Sequence, residues 1–178
     1  TRDRALMLTG WAGALRRSEL VALNLSDVTI HDEGATLRIR RSKTDKNAAG
    51  AEVPILYGEH AATCPVLALE ALTHGRDNEG PEAPLFRTIN RHGQHGGRLS
   101  GQGVGLVLKR YAGAAGIDPA AVSGHSLRRG FATEARRAGH DMLSIARFGR
   151  WAPGSPTVYG YVAEVDRWND SPLRGIGL

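Results

Sequence analysis

Apolar residues recur at helical spacing over most of the chain and alternate with polar ones only in one early stretch. In "RDRALMLTGWAGALRRSELVALN", Ala5, Leu6 and Leu8 mark one helix and Leu20, Val21 and Leu23 a second, with Gly10 and Gly13 interrupting between them. Arg16 and Arg17 then stand near the junction. From Asp27 to Leu56 the period changes: "VTI", "ATLRIRR" and "EVPIL" are short β-type runs divided by "HDEG" and "KTDKNAAG", both rich in turn formers, which predicts a small antiparallel sheet. Pro65 opens a helix over "VLALEALTHG" that Gly75 closes. Residues 76–99 are polar and carry glycine and proline, so an irregular stretch is expected there. Ser100 is placed to cap a helix through Tyr111, and Gly116 to stop the segment beyond it. This makes "GQGVG" at 101–105 a helix start, since it comes after no strand and lacks the Gly-Lys-Ser/Thr ending of a phosphate loop.

In the last third, Ser123 or Ser126 can cap a helix that carries Leu127 and Phe131 and ends at Gly139. "DMLSIARF" is a short helix running to Gly149, and Ser155 with Pro156 begins a final one. Within it Val158, Val162 and Val165 form an apolar stripe that should face the body of the domain. Tyr161 borders that stripe at roughly 60° and Tyr159 lies roughly 90° to its other side, where a half-buried packing role is expected of it. The pattern predicts a mainly α protein with a small antiparallel β-sheet, an α+β class, in a single domain.

Composition narrows the setting. At 178 residues and 41% hydrophobic content the chain can bury one sizeable core. Its formal charge of +5 permits a nucleic-acid or anionic-membrane partner without requiring one. Nowhere does an apolar run approach the roughly 18 residues of a membrane span, and no signal peptide opens the chain, so a soluble protein is expected. The single cysteine, Cys64, cannot form an internal disulfide and lacks the spacing of a zinc site, which favours a cytoplasmic location. The chain starts at Thr1 rather than a methionine, so a fragment or processed chain is expected. His60, His74, His92, His95 and His140 show no metal-ligand spacing. Arg38, Arg40, Arg41, Lys109, Arg110, Arg136 and Arg137 read individually as solvated charge, and as backbone contacts to a duplex if they share a face.

The chemistry concentrates in "SGHSLRRG". A histidine and arginines at a helix start suit a phosphate: guanidinium binds its oxygens bidentately, free helix N–H groups add donors, and imidazole can pass a proton. Around it stand "GALRRSEL", "RSKTD", "FGRW" and "YGYV", in that order along the chain. Together the five segments resemble the catalytic domain of the tyrosine recombinases, the phage-type integrases, and the likeness covers essentially the whole chain. It implies that Arg16, Lys43, His125, Arg128, Trp151 and Tyr161 are the catalytic set, with Tyr161 as nucleophile, and that 1–178 is a catalytic domain whose N-terminal DNA-clamping partner is absent. Two positions stay open. The common family turn is Leu-Gly-His where this chain has Phe148-Gly149-Arg150-Trp151, so Arg150 competes with Trp151, whose indole N–H can donate to a phosphate oxygen. Counting from Gly149 favours Tyr159 over Tyr161, whereas the helical stripe and the residue after it favour Tyr161.

The likeness further implies covalent phosphoryl transfer on double-stranded DNA through a 3′-phosphotyrosyl intermediate, with no metal and no cofactor. Arg16 and Arg128 would hold the non-bridging oxygens, Lys43 would protonate the departing 5′ oxygen and His125 would assist at the tyrosine, while Glu19 buttresses the arginines. Further protomers in a DNA-bound tetramer, and association with the nucleoid in a bacterium, are expected. The competing functions are a type IB topoisomerase and an inactive integrase-like DNA-binding module.

Overall fold

The computed structural model describes residues 1–41, 50–152, 154–169, 171 and 173. Helix α1 (Arg2–Ala12) turns tightly into α2 (Arg17–Ala22), with Ala14 in the left-handed backbone region at φ 46°. Gly10, expected to break the chain between them, lies inside α1. A Cβ at Gly10 would come within 2.7 Å of Leu127 Cδ1 and 3.0 Å of Leu20 Cδ2, so the glycine lets α1 close on both α2 and the later helix α5 (Ser126–Arg137). That approach brings the start of α2 beside α5.

The three alternating runs form strands β1 (Val28–His31), β2 (Gly34–Ile39) and β3 (Ala51–Leu56), paired antiparallel in that order. Across β2 and β3, Leu37 faces Val53 and Ala35 faces Ile55; all four are buried, so the inner face of the sheet covers the core. Lys43 falls in 42–49, outside the described residues. Helix α3 (Pro65–Thr73) comes next. The stretch 76–99 is not wholly irregular: β4 (Arg87–Ile89) and β5 (His95–Arg98) pair as a hairpin. Its turn is held by the Asn90 side-chain oxygen, which accepts from the His92 and Gln94 amides at 2.9 and 3.0 Å. Most of the hairpin's side chains are exposed, so no apolar alternation advertises the strands.

Ser100 caps α4 (Gly101–Ala114), its hydroxyl oxygen accepting from the Gly103 amide at 3.0 Å, and "GQGVG" forms the helix start. Ser100→Ala should therefore lower stability by about 1 kcal/mol, read as a lower urea midpoint at unchanged slope. An unmoved midpoint would show that the cap contributes nothing. At α5 neither serine caps the helix as expected. His125 takes the cap position, while Ser126 accepts from the Ser123 amide at 2.9 Å and Ser123 from the His125 amide at 3.2 Å, fixing the turn before the helix.

The apolar interior has two parts. The larger gathers Leu6, Leu20, Leu37, Leu69, Phe86 and Val104; the smaller gathers Ala132, Ile145, Val158 and Val162, between α5, α6 (Met142–Phe148) and α7 (Pro156–Asn169). Helix α5 joins them, with Leu127 against the larger core and Ala132 inside the smaller. Val158, Val162 and Val165 are buried as the stripe predicts, each of them stabilising α7's seat by about 1.5–3 kcal/mol. An Arg136–Asp166 ion pair and the Thr133 hydroxyl, 2.8 Å from the Tyr161 carbonyl, also tie α7 to α5.

Several arginines expected in solvent are thus paired within the fold. Besides Arg136, Arg110 meets Asp3, and Arg40 reaches Asp27 and Glu82, each at 2.6 Å. Arg40 and Arg110 stay exposed despite their partners, as do Arg38, Arg41, Lys109 and Arg137, the last of which pairs with Glu134 on its own helix. No described helix is long and apolar enough to cross a membrane.

Candidate active site

Arg16 occupies the N-cap position of α2 in an extended conformation, and Glu19, three residues on, folds back over it. Glu19 Oε2 accepts from the Arg16 amide at 2.9 Å and Oε1 accepts from Arg16 Nη1 at 2.6 Å. The carboxylate is almost wholly buried, and a buried charge persists only with partners. Arg150 is a second partner, its Nη2 donating to Glu19 Oε2 at 3.0 Å. The circuit closes through the main chain, since the Arg150 carbonyl accepts from Arg16 Nη2 at 2.8 Å.

Arg128, on the first turn of α5, is only 4% exposed. Its Nη1 donates to the Ala14 carbonyl, in the turn between α1 and α2, while the buried Nη2 finds no hydrogen-bond acceptor among the described residues. Such an unsatisfied donor costs about 1–3 kcal/mol. Burial, reinforced by the neighbouring positive charges of Arg16 and Arg150, pushes the Arg128 guanidinium down to about 9; Glu19 and the Tyr161 phenol act the other way. Among these side chains, three guanidiniums stand against one carboxylate. The group is built to receive an anion.

Positions 150 and 151 part company in space. Arg150 has a left-handed backbone at φ 58°, which sends its side chain back to Glu19 and to the carbonyls of Gly13, Ala14 and Phe148. Trp151 turns the other way: its indole face lies 3.8 Å from Arg128 Cζ, a cation–π contact, and its ring meets Tyr161 edge-on with centroids 6.3 Å apart. Gly149 is required there because any side chain at that position would overlap the Trp151 ring.

The two tyrosines of α7 are also separated. Tyr161 is half-buried against the smaller core and borders Trp151, within electrostatic reach of Arg128. Tyr159 is 52% exposed, not the half-buried packing residue expected of it. His125 lies one helical turn before Arg128 with its side chain exposed. The structure thus joins Arg16, Arg128, Trp151 and Tyr161 through contacts, sets His125 at the rim and leaves Lys43 outside the described residues. Two contributors have no clear mark in the sequence. The Ala14 carbonyl is a backbone group, and Thr133 looks like any mid-helix threonine.

The model of the phage integrase family matches residues 1–166. The chain belongs to that family. Among curated members, an integrase/recombinase XerD homolog of Selenomonas ruminantium is 37% identical over 97% of this chain and 50% of its own length. A tyrosine recombinase XerD of Xanthomonas axonopodis pv. citri is 35% identical over 81% of this chain and 45% of its own. The chain therefore spans about half the length of the curated integrase-family relatives it matches. The same fold is found in the XerH site-specific recombinase bound to a palindromic difH substrate in a post-cleavage complex, with a TM-score of 0.68 at 19% identity over 96% of this chain and 45% of that one. It is found also in the XerA recombinase, with a TM-score of 0.65 at 20% identity over 96% of this chain and 57% of that one.

Proposed function

We propose that this chain is the catalytic domain of a site-specific DNA recombinase that cuts and rejoins strands through a covalent tyrosyl intermediate. The observation that carries the reading is the buried Arg128, whose unsatisfied Nη2 and depressed guanidinium call for an anion beside the half-buried Tyr161. A scissile phosphodiester supplies it. The Tyr161 hydroxyl attacks phosphorus, the bond to the 5′ oxygen breaks, and the products are a 3′-phosphotyrosine and a free 5′-hydroxyl. That hydroxyl later attacks the phosphotyrosine of a second duplex, which restores the tyrosine and joins new strands. Arg16 and Arg128 offset the charge that grows on the non-bridging oxygens in the pentavalent state. Trp151 keeps the Arg128 plane fixed between itself and the Ala14 carbonyl, His125 relays the tyrosine's proton, and Lys43 gives one to the departing oxygen.

The names of the curated relatives favour strand exchange over topoisomerase-like religation. Double-stranded DNA is the partner, further protomers assemble on it as a tetramer, and an N-terminal clamping domain holds its other face. The test is a nicked suicide duplex that carries the recombination site and loses its 5′-hydroxyl fragment after cleavage. The intact protein should accumulate a detergent-stable protein–DNA adduct. Tight binding with no adduct would overturn the reading in favour of a binding-only module.

A further inference from the structure

Arg150 makes contacts in excess of what a surface turn needs. Its guanidinium donates to Glu19 Oε2 at 3.0 Å, to the Phe148 carbonyl at 3.0 Å and, at 3.3 to 3.4 Å, to the Gly13 and Ala14 carbonyls. Its own carbonyl holds Arg16 Nη2. Apart from Phe148, these partners lie more than 130 positions away in the chain, and the left-handed backbone at φ 58° is what lets one residue present side chain and carbonyl to the same neighbours. A non-glycine residue in that region carries a backbone cost, which persists only where surrounding contacts hold it.

The consequences run to both arginines of the proposed clamp. Arg16 is gripped from two sides: Glu19 holds Nη1, the Arg150 carbonyl holds Nη2, and Arg150 also fixes the Glu19 carboxylate. Ala14, whose carbonyl receives Arg128 Nη1, is steadied by the same Arg150 side chain. Building on the proposed function, we infer that Arg150 is a positioning residue which aims Arg16, through Glu19 and its own carbonyl, at one non-bridging oxygen of the scissile phosphate. It touches no reacting atom. A guanidinium suits the task because its two terminal nitrogens form a rigid fork that spans Glu19 and the three carbonyls at once, which a lysine ammonium cannot reproduce.

The experiment uses the intact protein and Arg150→Gly, since glycine accepts the positive φ and removes only the side chain. Single-turnover adduct formation is measured on the nicked suicide duplex and on two otherwise identical duplexes whose scissile phosphate is replaced by one or the other methylphosphonate diastereomer. Each diastereomer lacks one of the two non-bridging oxygens. On the ordinary phosphodiester the variant should react about 100-fold more slowly than wild type, the scale of a misplaced catalytic group, with duplex affinity within threefold. On the diastereomer that lacks the oxygen facing Arg16, the same comparison should shrink to a few-fold, because there Arg16 has nothing to neutralise.

A loss equal on all three substrates would mean that the variant merely reduces the folded or competent fraction, and would overturn the inference. An unimpaired variant would overturn it too. If Arg150→Gly does not fold, Arg150→Lys serves instead: it keeps the charge beside Glu19 without the fork, and should show a smaller loss with the same selective narrowing. Absence of any adduct with wild-type protein on the ordinary duplex would instead sink the recombinase reading itself, and the role of Arg150 with it.

Discussion

Tyr161→Phe is expected to abolish covalent attachment to DNA, while Tyr159→Phe retains it. The first change removes one oxygen and keeps the ring, so the edge-on contact with Trp151 and the seat against the smaller core survive. Stability should move by less than about 1 kcal/mol, while adduct on the nicked suicide duplex drops below detection, since Tyr161 is the phenol of α7 that acts on Arg128 and Tyr159 is exposed. Two residues along a helix turn through about 200°, so the two hydroxyls cannot both face the arginines without rewinding α7. Tyr159 faces solvent in the described conformation. Peptide mapping of the trapped adduct names the residue directly. An adduct on Tyr159 would show that α7 rotates when DNA binds and would reassign the nucleophile within the same chemistry.

Arg128→Met should be inactive yet no less stable than wild type. The guanidinium is buried, one of its nitrogens lacks an acceptor among the described residues, and burial pulls its pKa down to about 9. Each of these marks a charged form that the folded chain tolerates poorly. Methionine fills much of the same volume beside Trp151 and ends the desolvation penalty, at the cost of leaving the Ala14 carbonyl without this donor. Cleavage should fall by about 10³-fold, the upper range for removing one preorganised oxyanion donor, while the urea midpoint stays level or rises. A midpoint that falls along with activity would show that Arg128 chiefly holds the fold.

The same lowered pKa fixes the sign of the pH dependence. A base with a lowered folded-state pKa destabilises the fold fully below about 9, and the penalty fades as pH climbs from there towards the ordinary guanidinium range. Wild-type folding stability should therefore gain from Arg128 above about pH 9, the window in which the DNA-free site loses the cation it needs for cleavage. Arg128→Met should lack that gain.

What the sequence determined by itself is largely local or periodic. Ser100 and Pro156 mark helix starts because caps act within one turn, and the three alternating runs became β1 to β3 because a half-buried strand must alternate. The stripe of Val158, Val162 and Val165 set which face of α7 is buried without any coordinates, and so placed Tyr161 at its border and Tyr159 away from it, since burying one face of a helix fixes where every other residue points. The five ordered segments likewise carried the family. Tertiary structure alone decided the rest. The β4–β5 hairpin has mostly exposed side chains, so it leaves no period to read. Arg40, Arg110 and Arg136 look like any solvated arginine until partners 13 to 107 positions away arrive beside them. Gly10 reads as a breaker in one dimension and as a close-packing site in three. Arg150 and Trp151 are neighbours that one positive φ sends apart, the first to Glu19 and the second onto Arg128. That choice could not be read along the chain, because it is made by contacts with Gly13 to Glu19 on one side and with Arg128 on the other, all of them distant in sequence.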